Sequence, residues 1–116
     1  MKDNVRTLPV KPRLPAPRRR PPTAPRHLES AERAMWREIT TEFTFEDPAS
    51  LALLRSALEA HMRARRCRVV IDRDGEAIKD RFEQVRAHPL LAAERDARAA
   101  FLAAMRALNL DLGTSP

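Results

Sequence analysis

Seven of the ten prolines in this 116-residue chain fall within its first 26 positions, at Pro9, Pro12, Pro15, Pro17, Pro21, Pro22 and Pro25. Proline fixes φ and has no N–H, so this density blocks both helices and sheet ladders and favours extended polyproline II segments. The spacing predicts a disordered Pro/Arg-rich arm over 1–26 and one folded domain over 27–116. A body of about 90 residues supports only a small core, and self-association would help to cover it. The three remaining prolines, Pro48, Pro89 and Pro116, all read as helix boundaries.

The stretch from Ala87 to Leu110 is the plainest helix. Leu90, Ala93, Ala97, Phe101, Met105 and Leu108 recur at helical spacing, and Ala, Leu, Met and Arg between them are strong helix formers. Pro89 suits its first turn, His88 is placed to cap it, and Gly113 and Pro116 close it. Glu94 and Arg98 form an i,i+4 pair expected on the exposed face. An earlier helix starts at Ser30 as N-cap, with Glu32 in its first turn and Met35, Trp36, Ile39 and Phe43 as its apolar face. Asp47-Pro48 is the clearest helix start in the chain, and Leu51, Leu54, Leu58 and Met62 carry that helix to Arg65. The sole tryptophan, Trp36, reads as a core or interface anchor. Candidate core and oligomerisation residues are therefore Trp36, Leu54, Leu58, Leu91, Phe101, Met105 and Leu108.

Between the second and last helices the signal changes. Val69-Val70-Ile71 is a β-branched run and Asp72-Arg73-Asp74-Gly75 a turn signal, so a small hairpin with Ala77 and Ile78 on its returning strand is expected. The alternative is a short helix over 76–86, because Ile78, Phe82 and Val85 also have helical spacing. The fold expected is mainly α: a small bundle of about three helices with a short β-hairpin-like connection.

Charge is segregated. The arm carries eight cations, Lys2, Arg6, Lys11, Arg13, Arg18, Arg19, Arg20 and Arg26, against Asp3 alone, a net of +7. The rest of the chain holds fourteen basic and fifteen acidic residues, a net of −1. All excess positive charge thus lies in the arm, which points to a polyanion and first to nucleic acid. Arg63, Arg65, Arg66 and Arg68, at the expected end of the second helix, are further candidates for DNA phosphates, although a helix dipole also favours cations there.

Other chemistry finds little footing. With only two glycines, Gly75 and Gly113, there is no phosphate-cradling loop. His27, His61 and His88 stand apart, Cys67 is the only cysteine, and no metal-ligand spacing is present. Asp72 and Asp74 lack the downstream glutamate of a calcium loop. No enzyme activity, metal or cofactor is expected. No apolar run reaches the roughly 20 residues of a membrane span, and the N-terminus lacks the apolar core of a signal peptide, so an intracellular protein is expected.

The body resembles the phage terminase small subunit family in three ordered pieces. Pro25-Arg26-His27-Leu28 leads into the tryptophan-bearing Ala34-Met35-Trp36-Arg37-Glu38. Asp47 opens the leucine-rich run from Leu51 to Leu58. His88-Pro89-Leu90-Leu91 opens a helix that ends Leu108-Asn109-Leu110-Asp111-Leu112-Gly113-Thr114-Ser115-Pro116. The chain departs from the family pattern at Cys67-Arg68-Val69, where glycine is usual, and in its long Lys79–Val85 linker. The resemblance implies a non-enzymatic subunit that forms a homo-oligomeric ring, binds double-stranded viral DNA and hands it to a large subunit holding the ATPase and nuclease. It also implies a phage or prophage protein working in the bacterial cytoplasm. The alternative is a helical adaptor that binds only protein, using the arm as a Pro-rich ligand.

Overall fold

A computed structural model describes residues 20–110. The elements in chain order are α1 (Ser30–Glu42), α2 (Pro48–Asp74), β1 (Ala77–Lys79), β2 (Val85–Ala87) and α3 (Leu90–Leu108). This is a small mainly-α domain of three helices with a two-stranded antiparallel connection. The 27-residue α2 is the axis of the molecule; at 1.5 Å per residue it spans about 40 Å. α3 packs along it over much of its length, and α1 meets it over a shorter span.

The core lies where α1, α2 and the segment before α1 converge. Leu28, Trp36, Leu54, Leu58 and Met62 form it together with Ala24, and Met35, Ile39, Phe45, Leu51, Phe101 and Leu108 pack around them. Of the remaining core candidates, Leu91 and Met105 on α3 are half-buried. The indole Nε1–H of Trp36 donates to the Pro22 carbonyl at 2.7 Å. This bond and buried Ala24 attach the chain to the body five residues earlier than proline content implies. An extended segment suits proline, and Trp36 offers it both an apolar wall and a donor. Residues 1–19 of the expected arm lie outside the described residues, as do Gly113 and Pro116 at the expected end of the last helix.

α2 begins as its sequence predicts. Asp47 accepts from Ser50 N–H at 3.0 Å, with Pro48 in the first turn. It does not stop at Arg68. Val69-Val70-Ile71 is helical, not a strand, because Ala57, Ala60, Ala64, Cys67 and Ile71 continue one buried stripe at offsets of three and four. Facing α3, this stripe outweighs the weak local β preference of a β-branched run. Gly75 ends the helix at φ +89°, its N–H donating to the Ile71 carbonyl at 2.6 Å. The hairpin therefore lies one step later than expected, pairing Ala77 with Ala87, Ile78 with Arg86 and Lys79 with Val85. The alternative helix over 76–86 is likewise absent.

Two helix starts are also tied to distant elements. α1 begins at Ser30 itself, with Glu29 in the N-cap position; the Glu29 carbonyl accepts from Arg33 N–H at 2.8 Å, and its carboxylate pairs with Arg65 and Arg66 of α2. At α3, His88 is buried, and its Nδ1 accepts from Leu90 N–H at 3.0 Å. Its Nε2 must then carry the proton, which it donates to Asp74 at 3.0 Å. His88 N–H also donates to the Glu76 carbonyl at 2.7 Å. This histidine ties the end of α2, the hairpin base and the start of α3 together. Asp72 and Asp74 are not turn residues but belong to the last turn of α2. α3 closes on Asn109 in the left-handed conformation at φ +51°.

Candidate nucleic-acid interface

α2 is rich in arginine, and the structure sorts these side chains into two groups. Arg65 and Arg68 turn toward buried carboxylates. Arg65 donates through Nε to Glu32 at 2.8 Å and through Nη2 to Glu32 at 3.0 Å and Glu29 at 2.6 Å. His61 Nδ1 donates to the same Glu32 at 2.6 Å. One turn further on, Arg68 makes a two-pronged pair with Glu94 of α3, at 2.9 and 2.6 Å. It reaches Asp72 at 3.2 Å as well, and Arg98 also donates to Glu94 at 2.8 Å. Thus Glu94, expected on an exposed face, is buried, and its i,i+4 pair is half of a three-residue bridge between helices.

Electrostatics follow from this arrangement. The hydrogen bonds from Arg68, with Arg98 behind them, overcome burial and hold Glu94 at a pKa of about 2. Burial pushes the Glu32 carboxyl up, but hydrogen bonds from Arg65 and His61 and the Arg65 charge leave it below its ordinary value. Asp74 is likewise lowered to about 2, by Arg73 first and then His88. In return the guanidiniums of Arg65 and Arg68 are raised further, mainly by Glu32 and Glu94 respectively. Their charge is largely spent within the fold.

Arg63 and Arg66 face outward. Among the described residues Arg63 is exposed and takes part in no ion pair, and Arg66 is exposed and paired with Glu29 alone, at 2.9 Å. Together with His27, Glu59 and Met62 they line a shallow depression of about 310 Å³. His27 donates to Glu59 at 2.6 Å; burial pushes that carboxyl up, but the hydrogen bonds from His27 and Arg55 leave it below its ordinary value. The His27–Glu59 bond to α2, the Trp36–Pro22 bond to α1 and the Leu28 N–H to Pro25 carbonyl turn fasten the end of the arm to the body. Arg20 and Arg26 are exposed. Lys2, Arg6, Lys11, Arg13, Arg18 and Arg19 lie outside the described residues.

Of the four helix arginines, then, the fold brings Arg63 and Arg66 to the root of the arm and draws Arg65 and Arg68 inward. The glutamates that make this division, Glu29, Glu32 and Glu94, have no local signal that identifies them as arginine partners 26 to 37 residues away. Among the described residues no cluster of His, Cys, Asp or Glu is placed to hold a metal ion, and no helix is long and apolar enough to cross a membrane. Comparison with known protein families, with characterised proteins and with solved structures finds no match to this chain.

Proposed function

We propose that this chain is a non-catalytic DNA-binding subunit of a phage packaging terminase, which assembles into a ring, engages double-stranded viral DNA and delivers it to a large subunit. The observation that carries the DNA-binding part is the anchored root of the arm. A segment with a net charge of +7 joins the body at His27, which lines one depression with Arg63 and Arg66. Cations on a segment fastened to the body at one end are kept within reach of the helix arginines, which raises their effective concentration at a phosphate backbone. The packaging role is supported by the ordered resemblance of the three sequence pieces, which fall on α1, α2 and α3 in turn.

The test is the salt dependence of binding to double-stranded DNA. If most of the arm's cations engage, log K falls against log salt with a slope of roughly −6 to −7. Deleting residues 1–19 removes six of the eight arm cations and spares the Pro22 and Ala24 anchor. That deletion flattens the slope by roughly 5 and weakens binding at low salt. Unchanged binding would remove the arm from the interface. A protein with no DNA shift and a salt-insensitive protein partner would instead be the adaptor.

A further inference from the structure

Two surfaces of this molecule stand uncovered among the described residues. The first is the tip of the hairpin. Its loop is built rigidly: Asp80 accepts from Phe82 N–H at 2.8 Å, from Gln84 N–H at 3.0 Å and from Arg86 Nε. Glu83 N–H donates to the Asp80 carbonyl at 3.0 Å, and Glu83 takes the left-handed conformation at φ +64°, a strained choice for a residue with a side chain. What this frame presents is Phe82, 67% exposed, with Arg81 stacked 5.0 Å from its ring centre, and Val85, 69% exposed. A preorganised aromatic beside an arginine is the composition of an interface anchor, because little entropy remains to be lost on docking. The tip is not suited to phosphate: Glu76, Asp80 and Glu83 balance Lys79, Arg81 and Arg86.

The second surface is the groove between α2 and α3, about 380 Å³, lined by His61, Ala64, Arg65, Arg68, Arg98, Phe101 and Leu102. Its floor is apolar. Phe101 meets the His61 ring edge-on at 5.2 Å, and Leu102 is 53% exposed. On its rim Arg98 is the arginine left most open to solvent, at 64%, while on the tip Glu83 is 82% exposed. Arg98 also donates to Glu94 at 2.8 Å and Glu83 lies 3.8 Å from Lys79, but both charged groups stay open to solvent, so the groove offers an apolar floor to an aromatic ring and a cationic rim to a carboxylate.

We propose that the hairpin tip of one molecule docks in the α2–α3 groove of a second copy, with Phe82 against Phe101 and Leu102 and Glu83 beside Arg98. The molecule's own groove does not take its own tip, since Phe82 stands exposed. Tip and groove are different surfaces, so the contact is head-to-tail, and it closes into a ring or runs on as a filament according to the rotation it imposes. This inference rests on the assembly part of the proposed function and names the contact that makes it.

Solution mass over a concentration series, measured without DNA, tests it. The wild-type chain associates beyond the monomer. Phe82→Ala and Leu102→Glu, both at exposed positions, keep wild-type helicity and each loses at least tenfold in association. An equimolar mixture of the two variants holds one intact tip and one intact groove, so it forms a 1:1 dimer and nothing larger. Three results would each overturn the proposal: a monomeric wild type, an unchanged mass in both variants, or a mixture that stays monomeric. Because no DNA is present, failure here leaves arm binding untouched, and failure of DNA binding leaves this contact standing.

Discussion

Two glutamates hold the three helices in register. Glu32 and Glu94 are buried carboxylates, one on α1 and one on α3, and each takes an arginine from α2. A buried charge without a partner is costly, so each pair specifies alignment even where its net stabilisation is modest. Replacing Glu94 by Gln strands Arg68 and Arg98 and is expected to cost about 1–3 kcal/mol at neutral pH. The sign of the pH dependence follows from the lowered carboxyl. Glu94 sits at about 2 in the fold against 4.5 for an unperturbed glutamate. Its contribution is therefore complete above the higher value and is lost as pH falls toward the lower one. Thermal unfolding from neutral pH down to about pH 2 checks this. The gap between wild type and Glu94→Gln should narrow as the solution is acidified, and a gap constant across that range would show that charge pairing is not its source.

At the scale of elements, α2 shows why a strong local pattern can mislead. Val69, Val70 and Ile71 are adjacent, and adjacency favours a strand. In the fold they occupy three different faces of a helix: Ile71 is fully buried, whereas Val69 is 63% exposed. The two positions should accordingly respond in opposite ways. Ile71→Ala opens a cavity against α3 and is expected to lose about 2–5 kcal/mol. Val69→Ala replaces a β-branched residue on a helix surface with the best helix former and is expected to gain about 0.5 kcal/mol. Chemical denaturation of both variants decides the matter, and loss of stability in both would contradict a continuous helix here. The hairpin that follows begins two residues after Gly75 because that glycine adopts φ +89° and releases the chain from the helix.

For the molecule as a whole, the anchoring of the arm is the structural feature that bears most on function. Trp36→Phe keeps the apolar ring but removes the N–H that binds the Pro22 carbonyl. It is expected to cost about 1 kcal/mol and to speed hydrogen exchange at the Thr23 and Ala24 amides, with α2 and α3 unchanged. If exchange there stays at its wild-type rate, the tryptophan bond is not what fastens the arm. If the chain binds DNA as proposed, the same variant weakens that binding less than removal of residues 1–19, because it frees the arm's root without subtracting charge.

Periodicity and boundary chemistry made much of this architecture legible. The stripe on α3, the Asp47-Pro48 start of α2 and Trp36 in the core are all local patterns, set by side chains three or four residues apart. So is the His88 cap of α3, two residues from its donor. The concentration of charge in the arm is a matter of counting. Tertiary structure alone decided the rest. It carried Val69–Ile71 into a helix, because burial against α3 exceeds a local β preference. It also separated the arginines of α2, because Glu29, Glu32 and Glu94 approach from elements 26 or more residues distant. Which cations remain for a partner depends on those encounters: the identity of a charge is written in the chain, but its availability depends on where distant carboxylates fold.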